Sequence, residues 1–109
     1  MNTRDHRRAP RKPVETVAVA FDSIAERPLG QLCNVSASGL LLIGEHKPRS
    51  GGVYQARMTL PPSVDAIELG LQEQWHDPAA RPGQYWAGYR IIAVSKAHGE
   101  QLERWLRQA

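Results

Sequence analysis

The sequence contains a single cysteine, Cys33, which excludes an intramolecular disulfide and a cysteine-based metal cluster. No apolar segment follows Met1, and no window approaches the roughly 20 apolar residues of a membrane-spanning helix. The 109 residues are enough for one domain whose core needs no crosslink. We therefore expect a soluble, cytoplasmic protein without membrane insertion.

The sequence also lacks the usual patterns of enzymes. Its histidines are scattered, and only His76-Asp77 places a carboxylate beside an imidazole, in a segment that continues into a proline. No spacing typical of metal ligands occurs, and no glycine-rich phosphate-binding or dinucleotide-binding pattern is present. We therefore expect no catalytic residues, no metal and no cofactor.

Positive charge is concentrated at the start of the chain. Residues 1–13 carry five basic side chains against Asp5, a net charge of +4, whereas the remainder has nine basic and ten acidic side chains. Such a basic arm favours an anionic partner, although a solubilising terminus has the same composition. The slightly acidic body argues against nucleic acid as that partner.

Short apolar runs separated by Gly and Pro predict six strands. These are a first strand from Val14 and others at Gln31–Asn34, Leu40–Ile43, Val53–Leu60, Ala66–Trp75 and Gln84–Val94, with a turn at 25–30 and loops at 47–52 and 76–83. After them Ser95 is a candidate N-cap, and Leu102, Trp105 and Leu106 recur at helical spacing. The sequence therefore predicts a mainly β protein, a six-stranded antiparallel barrel with a C-terminal helix over about 95–108. Its predicted domains are a flexible arm over 1–13 and the barrel over 14–109.

Two short motifs flank the first two strands. Arg7 and Arg11 form R-x-x-x-R ahead of strand one, and Asn34, Ser36 and Gly39 form N-x-S-x-x-G after strand two. In this order, and on this arrangement of strands, the pair resembles the PilZ family of bacterial cyclic di-GMP receptors. The resemblance covers roughly residues 6–107, including the Gly88-Tyr-Arg-Ile segment and the terminal helix. Arg4 and Arg8 also satisfy the R-x-x-x-R spacing.

The resemblance implies a ligand-binding residue set for cyclic di-GMP, consisting of Arg7, Arg8, Arg11, Asn34, Ser36, Ser38, Gly39 and Trp75. Arginine suits such a ligand because its planar fork pairs with phosphate oxygens and with the O6/N7 edge of guanine. Asn34 is expected at a guanine edge and Ser36 at a base or phosphate. Gly39 is expected to allow a positive φ and close backbone approach.

Trp75 permits two interpretations. It can stack on a base, as a strand-five side chain does in some family members, or it can continue the apolar face formed by Ile67, Leu69 and Leu71. Trp86 and Trp105 are expected to pack in the core or against the helix.

The resemblance implies a receptor that signals through a ligand-dependent contact with an unidentified protein partner, in processes such as motility and biofilm formation. The alternative is a PilZ-like interaction module of pilus or motility systems that binds the nucleotide weakly or not at all. A monomer or weak dimer is expected, with one or two ligand molecules at the site.

Overall fold

A closed ring of antiparallel strands forms the body of the protein. The computed structural model describes residues 12–13, 18–63 and 65–108. Its elements are β1 (Lys12–Pro13), β2 (Val19–Asp22), β3 (Arg27–Val35), β4 (Gly39–Gly44), β5 (Val53–Thr59), β6 (Ala66–Pro78), β7 (Tyr85–Val94) and α1 (Lys96–Arg107). The ring runs β3-β2-β5-β6-β7-β4, and pairing of β4 with β3 closes it. The predicted six-stranded barrel with a C-terminal helix is confirmed.

Strand β3 is central to closure because both of its edges are paired. β4 occupies one edge, while β2 and β1 share the other, β2 along residues 27–31 and β1 along residues 34–35. The short strand β1 belongs to the segment that the sequence assigned to the arm. The remaining residues of that segment, 1–11, lie outside the described part of the chain.

The barrel interior is filled by the alternating apolar residues of the strands. The largest fully buried apolar side chains are Leu32, Val35, Leu40, Leu42, Ile67, Leu69 and Leu71. Helix α1 adds Leu102 and Trp105 to this core. The Trp105 indole also donates a hydrogen bond to the Pro61 carbonyl, 2.6 Å away, which holds the helix against the segment between β5 and β6.

Helix α1 begins as the sequence predicts. The Ser95 hydroxyl accepts a hydrogen bond from the backbone N–H of His98 at 3.1 Å, so Ser95 is the N-cap. The His98 imidazole in turn accepts from the backbone N–H of Glu68 at 3.1 Å and ties the first helical turn to β6. Packing therefore compensates for Gly99 within the helix.

Two boundary predictions were wrong. The turn expected over 25–30 lies over Ser23–Glu26, where the Asp22 carboxylate accepts from the backbone N–H groups of Ile24 and Ala25. β3 therefore starts at Arg27, and Pro28 is accommodated where the β2–β3 register shifts. Likewise, β6 continues three residues beyond Trp75, into the segment assigned to a loop.

Candidate functional site

The Asn34–Gly39 motif forms a tight turn that is held together by one hydroxyl. Ser36 is 1% exposed, and its Oγ accepts from the backbone N–H groups of Ser38 and Gly39, both at 3.2 Å. The Ser36 N–H donates to the Gly39 carbonyl at 2.8 Å, and the two serine hydroxyls lie 3.2 Å apart. The predicted contact of Ser36 with a ligand stays a prediction. What its hydroxyl does in this structure is order the turn.

Replacing Ser36 with Ala is expected to lower the free energy of unfolding by about 1–2 kcal/mol, because the buried N–H of Gly39 and the partly buried N–H of Ser38 would lose their acceptor. Urea denaturation measures the change. Ser38→Ala is the matched control, because Ser38 is exposed and its removal should cost at most about 0.5 kcal/mol. Equal losses in the two variants would contradict the assigned role of Ser36.

Gly39 is required for a reason other than the expected positive φ. Among the described glycines, only Gly51 and Gly83 have positive φ. A Cβ on Gly39 would instead lie 2.5 Å from the carbonyl oxygen of Tyr89 on β7. The absence of a side chain therefore lets β4 approach β7 closely at the end of the turn.

The strand register places one row of residues across the outer face of the barrel. Pro13 pairs with Asn34, Asn34 with Leu41, Leu41 with Gly88, and Gly88 with Trp75. The row crosses β1, β3, β4, β7 and β6 in turn. It joins the end of the arginine-rich segment, the asparagine of the motif and the tryptophan of β6 on a single surface.

The side chain of Trp75 lies on this outer face and is 47% exposed. The pyrrole ring of the indole covers Gly88, so that a Cβ on Gly88 would overlap the indole Nε1. The interpretation that Trp75 continues the face of Ile67, Leu69 and Leu71 was wrong. A β-bulge between Glu73 and Trp75 shifts the register and reverses the direction of the indole.

A shallow groove of about 640 Å³ adjoins the indole. It is lined by Ser50, Gly51, Gln72, Glu73, Gln74, Trp75, His76 and Arg90. Arg90 is exposed, pairs with both Gly39 and Gln72, and donates to the Gln72 side chain at 3.4 Å. Sequence analysis missed Arg90 as a site residue. The signal that could have found it is its position two residues after Gly88 in a strand, which places both on one face.

Glu73 is a buried carboxylate beneath the groove. One of its oxygens accepts from the backbone N–H of Gly51 at 2.8 Å, and the other lies 2.6 Å from His76 Nδ1. Burial raises the pKa of Glu73, but the hydrogen bonds from His76 and Gly51 and the charge of His76 outweigh it and bring the pKa below its ordinary value of 4.5. The site therefore stabilises an ionised carboxylate.

This lowered pKa predicts a pH dependence of stability. A group whose pKa is lower in the folded state contributes stability above its unfolded pKa and loses that contribution as the pH falls through the folded pKa. The unfolding free energy of the wild type should therefore fall more steeply between about pH 5 and pH 3 than that of Glu73→Gln. Urea denaturation at several pH values measures both slopes, and parallel slopes would contradict the prediction.

The other predicted site residues are Ser38, Asn34 and the three arginines. Ser38 is exposed in the turn, and its carbonyl accepts from the backbone N–H of Ile91 at 2.9 Å. Asn34 is half-buried on the outer face. Three predicted ligand contacts lie outside the described residues: Arg7, Arg8 and Arg11. The structure therefore places Asn34 and Trp75 in one row of the outer face, with Gly39 two residues before Leu41 of that row.

Trp86 and Trp105 differ in their environments. Trp105 is 8% exposed, as expected of a core residue. Trp86 instead lies half-buried on the outer face, where it pairs with Ile43 and Asp77 in the row next to that of Trp75. The prediction of a core position for Trp86 was wrong, because Ala87 and Tyr89 take the inward positions of β7.

The other features of the described residues concern metal ligands, the cysteine and a second groove. No group of three or more His, Cys, Asp and Glu side chains in this part of the chain is arranged to hold a metal ion. Cys33 is half-buried at a register shift in β3, and burial raises the pKa of its thiol. A second groove, of about 310 Å³, lies between α1 and the segment after β5 and contains none of the predicted site residues.

No helix in the described ranges is both long and apolar enough to cross a membrane.

Comparison with known proteins agrees with this geometry. The fold is similar to that of the inhibitor of motility MotI/DgrA from Bacillus subtilis, with a TM-score of 0.71 and 14% sequence identity. The superposition covers 94% of this chain and 52% of that one, so the chain spans about half of the neighbour's length. A search of curated proteins returned no match. The model of the PilZ domain matches residues 4–108, and the chain therefore belongs to the PilZ domain family.

Proposed function

We propose that the chain is a cyclic di-GMP receptor that binds the dinucleotide on the outer face of the barrel, between the arginine arm and Trp75. The observation that carries this proposal is the row from Pro13 through Asn34, Leu41 and Gly88 to Trp75. It supplies a polar amide and an exposed aromatic ring, which covers Gly88, on one surface. Membership of a family of cyclic di-GMP receptors supports the ligand class.

The arginines would provide the anionic and guanine contacts. Arg11 directly precedes the paired residue Lys12, and Arg7 and Arg8 precede it by five and four positions. All three therefore belong to the short segment of sequence that leads into Lys12–Pro13, and Pro13 pairs with Asn34. A guanidinium can pair bidentately with a phosphate or with the O6/N7 edge of guanine, and these charge-assisted bonds are stronger than neutral ones.

The opposite end of the row would bind a base by stacking. Trp75 presents an exposed indole, and Gly88 removes any side chain that would separate the ring from the sheet. The Asn34 amide would bond a guanine edge, with Ser38 as an exposed hydroxyl nearby. Ser36 and Gly39 would act chiefly by shaping the turn that holds Asn34 in place.

The output would be a ligand-dependent contact with a protein partner. Closing the arm over the outer face would create a surface composed of the arm, the bound nucleotide and the exposed residues of β6 and β7. The structural neighbour is described as an inhibitor of motility, and we propose that this chain acts in a related regulatory process.

Titration calorimetry with cyclic di-GMP tests the proposal. The wild type should bind, Asn34→Ala should bind about tenfold more weakly, and Arg7→Ala about ten- to a hundredfold more weakly, as expected for a neutral and a charge-assisted contact. Thr59→Ala, an exposed change on β5, serves as the control and should not alter binding. Undiminished affinity in both site variants would overturn the site. No binding by the wild type, together with a copurifying protein, would favour the interaction module instead.

A further inference from the structure

The pair formed by buried Glu73 and half-buried His76 has no part in the ligand contacts proposed above. Glu73 faces the barrel interior, opposite Tyr89, and is 4% exposed. Its carboxylate contacts His76 Nδ1 at 2.6 Å across the bulge that turns Trp75 outward. The pair therefore lies directly behind the residue that we assign to base stacking.

The contact between Glu73 and His76 is possible only because β6 contains the bulge. In a regular strand, residues three apart point to opposite faces of the sheet, and a carboxylate at one position could not reach an imidazole at the other. Glu73 pairs with Tyr89 and His76 with Ala87, and both partners are inward residues of β7. Both side chains face inward only because Gln74 is the extra residue of the bulge.

The alternative register would reverse Trp75. Without the bulge, strict alternation would place Trp75 on the inner face with Ile67, Leu69 and Leu71, and His76 on the outer face. The Glu73–His76 bond can form in the bulged register and not in the regular one. It therefore stabilises the register in which the indole is exposed.

The loop between β4 and β5 adds a second restraint on the same carboxylate. The backbone N–H of Gly51 donates to Glu73 at 2.8 Å, and the backbone N–H of Glu73 donates to the Gly52 carbonyl at 2.9 Å. These bonds fix both the side chain and the backbone of Glu73 just before the bulge. The position of the bulge is thereby defined from one side by the loop and from the other by His76.

We propose that Glu73 and His76 are positioning residues whose bond across the β6 bulge holds the Trp75 indole over Gly88, ready to stack on a ligand. Neither residue needs to touch the ligand. The role of this bond in orienting the indole does not depend on the proposed function. Only its effect on ligand affinity rests on that function.

The first test needs no ligand. Ring-current shifts from the indole should displace the Gly88 α-proton resonances in the wild type, because the pyrrole ring covers that residue. Glu73→Ala should move these resonances towards the positions seen in Trp75→Ala. Glu73→Gln should restore them, since its amide can accept from Gly51 and donate to His76. Glu68→Ala is the matched control, being a half-buried glutamate on the same strand that bonds Gln55 instead.

His76→Ala keeps the test decisive if Glu73→Ala does not fold. His76 is the more exposed partner, with 14% side-chain exposure against 3% for Glu73, so its removal disturbs the core less. It should shift the Gly88 resonances in the same direction. Unchanged Gly88 resonances in a folded Glu73 or His76 variant would overturn the proposal.

The second test measures cyclic di-GMP affinity in a double-mutant cycle. Glu73→Ala should weaken binding about five- to tenfold, because fewer molecules would hold the indole in the competent position. In a Trp75→Ala background, the same change should have no further effect. An equal loss in both backgrounds would show that Glu73 acts by another route. If the wild type does not bind the nucleotide, the proposed function fails, while the Gly88 resonances still decide the role of Glu73.

Discussion

Replacing Gly39 with Ala should lower the free energy of unfolding by about 2–3 kcal/mol, the cost of forcing an extra carbon into a packed site. The added Cβ would lie 2.5 Å from the Tyr89 carbonyl oxygen, and this oxygen belongs to a strand paired on both sides. Neither backbone can yield without disturbing the β4–β7 ladder next to the motif turn. Chemical denaturation measures the loss, and ligand affinity should fall with it.

Gly99→Ala is the matched control for this prediction. Gly99 lies in α1, where an added Cβ would meet only Val94 side-chain carbons at 3.7 Å or more, in ordinary contact. That variant should be more stable than the wild type, by up to about 1 kcal/mol, because alanine has the higher helix propensity. If Gly39→Ala were as stable as the wild type, the close approach of the two strands could not be the reason for glycine at this position.

Gly88→Leu should weaken cyclic di-GMP binding more than a hundredfold, the largest effect expected of any single change on the outer face. The leucine would displace the indole from its position over Gly88. Stacking on an aromatic side chain contributes about 1–3 kcal/mol of binding free energy per base. The leucine side chain and the displaced indole would also project beside Leu41, into the space where we place the ligand. Trp75→Ala removes only the stacking, and its loss should therefore be smaller. Titration calorimetry distinguishes the two.

The free energy of unfolding distinguishes a loss of binding in Gly88→Leu from misfolding of the variant. The indole is 47% exposed and can move into solvent, so Gly88→Leu should change the free energy of unfolding by no more than about 1 kcal/mol. A folded Gly88→Leu protein with wild-type affinity would exclude the surface between Leu41 and Trp75 as the binding site.

The barrel could be predicted from the sequence because its strands repeat simple patterns. Ile67, Leu69 and Leu71 alternate in sequence with Glu68, Gly70 and Gln72, and the helix has an N-cap and apolar residues at helical spacing. The bulge in β6 could not be placed in this way, since it depends on a bond between Glu73 and His76 that forms only in the folded chain. One signal was present: a glutamate occupies the next inward position after Leu71.

The motif turn illustrates a second limit. Asn34, Ser36 and Gly39 were recognised as a set, but their spacing does not separate residues that contact a ligand from residues that build the turn. The structure gives the Ser36 hydroxyl four polar contacts within the turn and gives Gly39 a steric role against Tyr89. The role of Gly39 follows from the position of β7, which is distant in sequence.

The pairing of Lys12–Pro13 with β3 also determines the effective concentration of the arm at the proposed site. A segment tethered beside its binding site acts at an effective concentration in the range of about millimolar when the linker is short and flexible. Arg11 is one residue and Arg7 five residues from this tether. In the proposed binding mode, the arm would therefore act as a second binding partner held at about millimolar concentration beside the site. If the same arginines were supplied as a separate peptide, the peptide would need a concentration of about millimolar to replace the tethered arm.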